Sequence, residues 1–248
     1  MRILGLIGYP LSHSFSQGYF KEKFKTEGIQ DVIYENFEIK SIDDLPALLR
    51  SYPNLCGLNV TIPYKEDVKQ YLHELDYSAQ KVGAVNVIKI LPDQRRIGYN
   101  SDYYGFRTSL ESWLAGKFSS VKALVLGTGG ASKAIRIVLE DCNVPYKTVS
   151  RNKDRGDYTY YEVIEKKDII ENYTLIINTT PLGMYPHMNA APQLPYERLN
   201  EKYYLYDLIY NPDETLFLQK GREAGAKTKN GMEMLILQAE KSWDIWNQ

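Results

Sequence analysis

Two charged residues at the ends of predicted elements could together handle a proton. Lys65 closes the run Gly57-Leu-Asn-Val-Thr-Ile-Pro-Tyr-Lys, and Asp102 lies in the run Gly98-Tyr-Asn-Ser-Asp. With an unperturbed pKa of about 10.4, a lysine is a charged acid at neutral pH. It can donate a proton to the alkoxide that forms when a ketone is reduced, or stabilise the negative charge of that alkoxide. A neighbouring Asp102 would favour that charge, whereas burial would oppose it. Taken singly, Lys65 also fits a surface lysine, and Asp102 fits the N-cap of the helix that follows it.

A second group of polar residues could hold a small acid. Ser14 and Ser16 stand two apart, so in extended backbone both hydroxyls would face one side and could hold a carboxylate. A serine-rich helix cap explains the same two residues equally well. Thr61 and Asn86 add a hydroxyl and an amide close to the ends of predicted strands.

A glycine-rich turn between a predicted strand and a predicted helix indicates a nucleotide site. The apolar run Val121–Leu126 is followed by Gly127-Thr-Gly-Gly-Ala-Ser132. Gly127 permits a tight turn, Gly129 lets the backbone approach a pyrophosphate, and the helix N-terminus offers N–H groups to the anion. Ser132 stands where glycine or alanine is usual, and a turn that only packs helix on strand remains an alternative.

The strand after this turn ends in basic residues. In NAD-binding units an acidic residue here takes the ribose 2′-hydroxyl, but this chain continues Ser150-Arg-Asn-Lys-Asp-Arg155. Arg151, Lys153 and Arg155 would attract a 2′-phosphate, which an arginine can also hold with its planar fork. A solvated basic loop is the alternative, and the position after a glycine turn favours NADP over NAD.

Short apolar runs alternate with helix-period stretches, which predicts an α/β fold with mostly parallel sheets. The pattern restarts near residue 102. We therefore expect two α/β domains, 1–101 and a Rossmann-like 102–230, with a C-terminal helix at 231–248 packing back on the first. The predicted strands are Ile3–Gly8, Val32–Ile39, Leu58–Thr61, Val85–Ile90, Val121–Leu126, Tyr146–Ser150, Leu175–Asn178 and Tyr203–Ile209. The predicted helices are Ser16–Thr26, Ile42–Arg50, a stretch running on past Pro63, Tyr103–Trp113, Ala131–Asp141 and Met232–Trp246.

Composition excludes several classes of function. Thirty basic residues nearly balance 31 acidic ones, so the basic surplus of a nucleic-acid-binding protein is missing. Pro10 comes too early for a signal peptide, and no apolar run approaches the roughly 18 residues of a membrane span. Cys56 and Cys142 form no CxxC motif and are expected to be reduced thiols of a cytoplasmic protein. The three scattered histidines predict no metal site.

The order of these motifs resembles that of shikimate dehydrogenases, from Gly8 to about Gln238. The segments Ile177–Met184 and Tyr206–Pro212 look like that family's loop beside the nucleotide and its domain-junction strand. Gln17 departs from a common proline, and Lys133 from a usual arginine, without touching the reacting groups. The resemblance is carried by Gly8/Ser14/Ser16, Asn59/Thr61/Lys65, Gly83/Asn86, Asn100/Asp102/Gly105, the glycine turn, and Asn230-Gly231-Met232 with Gln238.

The resemblance implies reversible reduction of 3-dehydroshikimate to shikimate with NADPH, a step in making aromatic amino acids, in a cleft between the two domains. It implies catalytic roles for Lys65 and Asp102. The implied carboxylate ligands are Ser14, Ser16 and Tyr210, and those of the ring hydroxyls and carbonyl are Thr61, Lys65, Asn86, Asp102 and Gln238. The implied pyrophosphate cradle is Gly127, Gly129, Gly130, Ala131 and Ser132. Ser150, Arg151 and Arg155 would surround the 2′-phosphate, and Leu208 and Gly231 would lie near the nicotinamide.

Other interpretations stay open from sequence alone. A quinate dehydrogenase, or an enzyme acting on both acids, would share these motifs. A protein of a different class, a non-catalytic NADP-binding sensor or scaffold, would share the fold without needing the reacting pair. We expect a small-molecule substrate, no nucleic-acid or membrane partner, and a monomer or homodimer.

Overall fold

The computed structural model describes residues 1–11 and 15–248, and the chain divides into two compact units. Unit 1 is Met1–Tyr104 with Gln238–Gln248, and unit 2 is Gly105–Leu237. The strands are β1 (Arg2–Gly8), β2 (Val32–Glu38), β3 (Leu55–Val60), β4 (Glu74–Leu75), β5 (Val87–Ile90), β6 (Arg96–Tyr99), β7 (Ala123–Leu126), β8 (Tyr146–Ser150), β9 (Tyr158–Thr159), β10 (Leu175–Asn178), β11 (Tyr204–Asp207) and β12 (Lys227–Lys229). The helices are α1 (Phe15–Thr26), α2 (Leu45–Ser51), α3 (Tyr77–Val82), α4 (Ser101–Leu114), α5 (Gly130–Asp141), α6 (Tyr160–Glu165), α7 (Lys167–Asn172), α8 (Leu216–Glu223) and α9 (Met232–Asn247).

The sheet of unit 1 has the strand order β2-β1-β3-β5-β6-β4. β5 runs antiparallel to both of its neighbours, and the other pairs are parallel. Side chains alternate along β1, so Ile3 and Ile7 enter one core while Leu4 and Leu6 enter another. Because β5 is reversed, its first residue lies at the sheet edge where β1, β3 and β6 end. Polar residues from four segments therefore meet at one edge.

The C-terminal part of α9 packs on this sheet. The Trp246 ring lies against Gly57, where a Cβ atom would overlap it, and Trp246 Nε1 donates to the Ile88 carbonyl at 3.0 Å. Ile245 and Ala239 enter the core formed by β1, β2 and α1. These contacts fix the position of the C-terminal part of α9 on the sheet of unit 1.

The sheet of unit 2 has the order β12-β11-β10-β7-β8-β9, with every pair parallel. Numbered from β7, this is the 3-2-1-4-5-6 order of dinucleotide-binding sheets. The order reverses between β7 and β10, and ligands of such sheets bind outside the carboxyl ends of the strands at that point. The predicted α/β class with a Rossmann-like part is confirmed.

The predicted helix past Pro63 is wrong. Residues 62–66 form turns, and a short 3-10 helix follows at Asp67–Tyr71. In an α-helix the Lys65 carbonyl would accept from Lys69 N, but here it accepts from Val85 N at 2.7 Å. Lys69 N turns instead to the Glu66 carbonyl at 3.4 Å. A tertiary hydrogen bond therefore replaces the helix and fixes the backbone of Lys65.

Candidate functional site

Lys65 and Asp102 form an ion pair within unit 1. Lys65 Nζ lies 2.7 Å from Asp102 Oδ2, with 33% of the lysine side chain and 26% of the aspartate side chain exposed. Lys65 follows β3 and Asp102 stands in the first turn of α4, so the two come from separate segments. The pair thus presents a charged ammonium that is held in place yet open to a ligand.

The alternative role of Asp102 as an N-cap is excluded by its neighbour. Asn100 Oδ1 accepts from Tyr103 N at 3.1 Å, which is the capping bond of α4. Asn100 is buried, and its amide also donates to the Ala84 carbonyl at 2.9 Å. Asn100 thus takes the cap, and the Asp102 carboxylate faces Lys65.

The edge of the unit 1 sheet brings further predicted residues together. Asn59 pairs with Val87 in the β3–β5 register, so Thr61 and Asn86 stand at the adjoining strand ends. Thr61 N donates to the Ile7 carbonyl at 2.9 Å, and a Cβ on Gly8 would overlap the Thr61 methyl group. Thr61 is partly exposed at this edge, whereas Asn86 is buried.

The side chain of Asn86 holds the start of α4. Its Oδ1 accepts from Ser101 N at 2.6 Å, and its Nδ2 donates to Ser101 Oγ at 3.0 Å. Ser101 Oγ also lies 3.3 Å from Gln238 Oε1 and 3.4 Å from Ser242 Oγ, both on α9. Asn86 and Gln238 are therefore joined through Ser101, the residue directly before Asp102.

A second set of hydrogen bonds starts at Ser16. Its side chain bonds the hydroxyl of buried Tyr34, which donates to Asn59 Oδ1 at 2.7 Å. Asn59 Nδ2 then donates to Ser242 Oγ at 3.0 Å. Burial raises the pKa of Tyr34, so its phenol remains a neutral donor. Ser16 lies in α1, as the predicted helix Ser16–Thr26 has it, so its backbone is not in the extended form in which two serines would face one side; Ser14 lies outside the described residues.

The glycine turn of unit 2 leads from β7 into α5. Gly127 has φ 101°, which favours glycine, and its added Cβ would lie 2.9 Å from Thr179 Oγ1. Cβ atoms on Gly129 or Gly130 would meet nothing within 4 Å. Gly129 is the N-cap of α5 and has no side-chain capping bond. This turn thus presents open backbone and an uncapped helix start.

Ser132 holds this turn from the inside. It is buried, and both its amide and its hydroxyl donate to the Gly129 carbonyl, at 3.1 and 2.7 Å. A serine at this position of the fingerprint is thereby explained. The surface open to an anion is left to Gly129, Gly130 and Ala131, which are exposed.

The basic segment follows β8, the strand beside β7. Arg151 and Arg155 are exposed, whereas Lys153 Nζ pairs with Glu162 Oε1 at 2.7 Å. Burial raises the pKa of Tyr160 to about 12, and the nearby charge of Arg151 acts against that rise. Ser150 is buried, and its Oγ accepts from Asn152 N at 3.2 Å, which shapes the turn. Two arginines are thus left facing solvent where a 2′-phosphate is expected.

Leu208 and Gly231 are in contact in unit 2. A Cβ on Gly231 would overlap the Leu208 carbonyl, and Gly231 N donates to the Ile209 carbonyl at 2.9 Å. Only glycine allows this approach of two backbones. Tyr210 follows in the same segment and is partly exposed.

A buried carboxylate in unit 2 was not predicted from the sequence. Asp207 ends β11 beside Asn178 of β10, and both are fully buried. Asn178 Nδ2, Ile209 N and Thr215 Oγ1 donate to its oxygens at 3.0, 3.1 and 2.6 Å. Burial raises the pKa of Asp207 to about 6, against the effect of these donors. The motif Tyr206–Pro212 contains Asp207, but spacing alone does not show that its side chain points inward.

The family model for the shikimate dehydrogenase substrate-binding domain matches residues 6–88. The shikimate dehydrogenase (NADP(+)) of Clostridium beijerinckii is 40% identical over 260 residues, covering 100% of this chain and 93% of that protein. The chain belongs to the shikimate dehydrogenase family. The enzyme of the same name from Methanococcus maripaludis is 37% identical, covering 99% and 91%.

Solved structures of the shikimate dehydrogenase family share the fold. A chorismate mutase/shikimate 5-dehydrogenase fusion protein from Clostridium acetobutylicum is 37% identical, with TM-score 0.85 over 100% of this chain and 91% of that one. Shikimate 5-dehydrogenase from Thermus thermophilus, in complex with NADP(H) and shikimate, is 28% identical, with TM-score 0.82 over 99% and 93%. Quinate dehydrogenase from Corynebacterium glutamicum, in complex with NAD, is 25% identical, with TM-score 0.87 over 99% and 93%.

The described part of this shikimate dehydrogenase family member holds neither a metal-ligand cluster nor a membrane-spanning helix. Within residues 1–11 and 15–248, no group of three or more His, Cys, Asp and Glu side chains is arranged to hold a metal ion. No helix in that part of the chain is both long and apolar enough to span a bilayer.

Proposed function

We propose that this chain catalyses the NADPH-dependent, reversible reduction of 3-dehydroshikimate to shikimate. The observation that carries the proposal is the 2.7 Å ion pair of Lys65 and Asp102, at the sheet edge where Thr61 and Asn86 also lie. A charged donor beside hydroxyl and amide groups suits a ketone on a polyhydroxylated ring.

In this proposal Lys65 acts on the oxygen of the reacting carbon. Reduction of the ketone puts negative charge on that oxygen, and the Lys65 ammonium can stabilise the charge or donate a proton to it. Asp102 holds Nζ in position through a hydrogen bond of 2.7 Å. In the reverse direction, the neutral amine form of Lys65 would take the proton from the hydroxyl of shikimate and so return to the ammonium.

The remaining predicted substrate ligands are proposed to orient the acid. Ser14, Ser16 and Tyr210 are proposed to bind its carboxylate, with hydroxyls as donors. The partly exposed Thr61 and Gln238, together with Asn86, are proposed to bind the ring hydroxyls and so orient the ring. The buried amide of Asn86 is shared with Ser101, so it would act in part by holding the start of α4.

Unit 2 suits a phosphorylated dinucleotide. Gly129, Gly130 and Ala131 offer exposed backbone at an uncapped helix start, where N–H groups favour an anion. Arg151 and Arg155 offer two exposed guanidinium groups for the 2′-phosphate, as Ser150 shapes their turn. Leu208 and Gly231 are proposed to flank the nicotinamide. When bound, NADPH supplies the hydride.

The rival within the family is an enzyme that prefers quinate or acts on both acids, and the choice between NADP and NAD is a separate question. The two arginines after β8 support NADP, because NAD carries no 2′-phosphate for them to hold. Initial rates with shikimate or quinate, each with NADP or NAD, test the choice. We expect shikimate with NADP to give the highest kcat/KM, and a preference for quinate with NAD would overturn the proposal.

The rival of a different class is a non-catalytic sensor or scaffold that binds NADP. Such a protein has no need to hold a lysine against an aspartate at a partly exposed edge. Binding of NADP without its reduction by shikimate or quinate would support the sensor over the enzyme. We further propose a cytoplasmic location and a monomeric or homodimeric state; both cysteines are unpaired thiols, which fits a reducing compartment.

A further inference from the structure

The Asp207 carboxylate is buried at the carboxyl end of β11 in unit 2 and is not itself among the groups proposed to touch the nucleotide. It is fully buried at the end of β11 and accepts hydrogen bonds from three separate segments. Its donors are Asn178 Nδ2 on β10, Ile209 N after β11, and Thr215 Oγ1 at the start of α8. Among the described residues it pairs with no Lys or Arg, so these three donors replace a cation.

The bond to Asn178 extends into the loop after β10. Asn178 Oδ1 accepts from Thr180 N at 3.0 Å and from Thr180 Oγ1 at 2.7 Å. Thr180 Oγ1 in turn accepts from Leu182 N at 3.3 Å. The loop 179–182 is therefore folded around a side chain whose own orientation is set by Asp207.

This loop packs against the glycine turn. Atoms of Thr179 and Thr180 lie 2.9 Å from the position that a Cβ on Gly127 would take. Thr179 Oγ1 also donates to the Leu126 carbonyl at 2.7 Å. The shape of the loop thus limits the shape of the turn, at the point between β7 and β10 where the strand order reverses.

The bond from Ile209 N serves a second part of the same edge. Ile209 also accepts from Gly231 N through its carbonyl, and the Leu208 backbone packs on Gly231. Asp207 therefore fixes the Leu208–Ile209 backbone, which carries one of the residues proposed to flank the nicotinamide and contacts the other, Gly231.

We propose that Asp207 is a positioning residue for NADP, which holds the loop 179–182 and the Leu208–Ile209 backbone in the arrangement that binds the nucleotide. A buried carboxylate without a cation destabilises the fold, and burial raises the pKa of this one to about 6. What this carboxylate provides in return is the fixed geometry of the loop and backbone that it binds. The inference rests on the proposed function for the identity of the nucleotide.

The test is NADP binding by calorimetry to Asp207→Ala, Asp207→Asn and Thr215→Val. Tyr203→Phe is the matched control, because Tyr203 precedes the same strand and its buried hydroxyl donates to the Ile170 carbonyl at 3.3 Å, at the opposite end. We expect Asp207→Ala to raise the Kd for NADP about tenfold or more, and KM for NADP to rise more than kcat falls. Asp207→Asn, which keeps one oxygen for two donors, should rescue part of the loss.

Unchanged NADP affinity in folded Asp207 and Thr215 variants would overturn the inference, as would an equal loss in Tyr203→Phe. If Asp207→Ala does not fold, the Kd for NADP of Asp207→Asn and Thr215→Val, measured by the same calorimetry, tests the inference. A wild-type chain that binds NADP but does not oxidise shikimate would contradict the proposed function alone. A wild-type chain that oxidises shikimate, with variants that bind NADP normally, would contradict the Asp207 inference alone.

Discussion

Lys65 carries a flexible side chain whose ammonium would sample many positions if it were unpaired. The Asp102 carboxylate, 2.7 Å away, removes much of that freedom. Ion pairs that are partly exposed contribute only about 0–1 kcal/mol to stability, so this pair is better explained by the position it gives to Nζ. The hydrogen bond from Val85 N to the Lys65 carbonyl also limits the positions of Nζ, because it fixes the backbone of Lys65.

The exposed guanidinium of Arg151 leads to a prediction about the cofactor. Arg151→Ala should raise KM for NADP about tenfold, because a hydrogen bond between charged groups contributes roughly 1.5–3 kcal/mol. KM for NAD, which has no 2′-phosphate, should stay within about twofold. Steady-state kinetics with both cofactors give the ratio. Lys153→Ala is the control, since Lys153 already pairs with Glu162. Equal effects on the two cofactors would refute a 2′-phosphate contact at Arg151.

Residue types and spacing could indicate Lys65 and Asp102, but local pattern could not separate their alternatives. Asn100 and Asp102 are both good N-caps, and only the structure shows that Asn100 takes the bond from Tyr103 N. Asp207 was missed because a local pattern does not reveal the contacts of a side chain with distant residues. A carboxylate near a strand end is ordinary in sequence, and its burial depends on donors 29 residues earlier and 8 residues later.

Among the elements, hydrogen bonds link α1, β2, β3 and α9 beneath the sheet edge that carries Thr61 and Asn86. Ser16, Tyr34, Asn59 and Ser242 form this link, which ends near Ser101 and the start of α4. Each interior member is buried, so an unsatisfied partner would be costly. The link places Ser16 in a fixed relation to the residues around Asp102.

Tyr34→Phe tests this link between elements. Removing the hydroxyl frees Ser16 and leaves Asn59 Oδ1 without its donor, so KM for shikimate should rise about fivefold, with a smaller change in kcat. Tyr64→Phe is the matched control, because Tyr64 is equally buried in unit 1 and donates to the Ile39 carbonyl at 2.7 Å. The measurement is KM for shikimate and kcat of both variants by steady-state kinetics. An identical rise in the two variants would show that lost stability, and not the link, causes it.

Apolar strands between clear turn signals were predictable, and strands of two residues were not. β8 and β10 have the predicted bounds, since each is a continuous strand between clear turn signals. β4 and β9 have two residues each and leave no periodicity to detect. The predicted helix past Pro63 failed because a distant residue, Val85, takes the carbonyl that would have continued it.

At the scale of the whole molecule, the two units are built on two different kinds of sheet. Unit 1 reverses one strand, β5, and so brings the start of that strand to the edge where its neighbours end. Unit 2 keeps every strand parallel and reverses only the strand order, between β7 and β10, which is where sheets of this order generally bind their ligands. Strand order depends on contacts between distant segments and could be expected only from the resemblance to a family.

Stability should depend on pH through Asp207. Its pKa is about 6 when folded, above the roughly 3.9 of an unfolded aspartate, so folding takes up a proton between these values. The cost of the buried charge is therefore full above about pH 6 and is relieved as pH falls towards about 4. The wild type should gain up to about 3 kcal/mol relative to Asp207→Asn over that range, since one pKa unit is about 1.4 kcal/mol.

Denaturant unfolding of both proteins at several pH values measures this difference. The loss of hydrogen bonds in the variant does not depend on pH. The change with pH in the difference between the two free energies of unfolding therefore reports the titration of the Asp207 carboxyl group. Tyr203→Phe should differ from the wild type by a constant amount. A constant difference for Asp207→Asn as well would show that Asp207 does not titrate in this range.

The most direct test of the central claim is the turnover of Lys65→Ala with shikimate and NADP, followed by the absorbance of reduced nicotinamide. We predict that kcat falls by about 100- to 10,000-fold, the usual contribution of a positioned acid or base, while the affinity for shikimate changes far less. Lys40→Ala, at an exposed lysine of the same unit, should behave as the wild type. A near-normal kcat in Lys65→Ala would contradict the account.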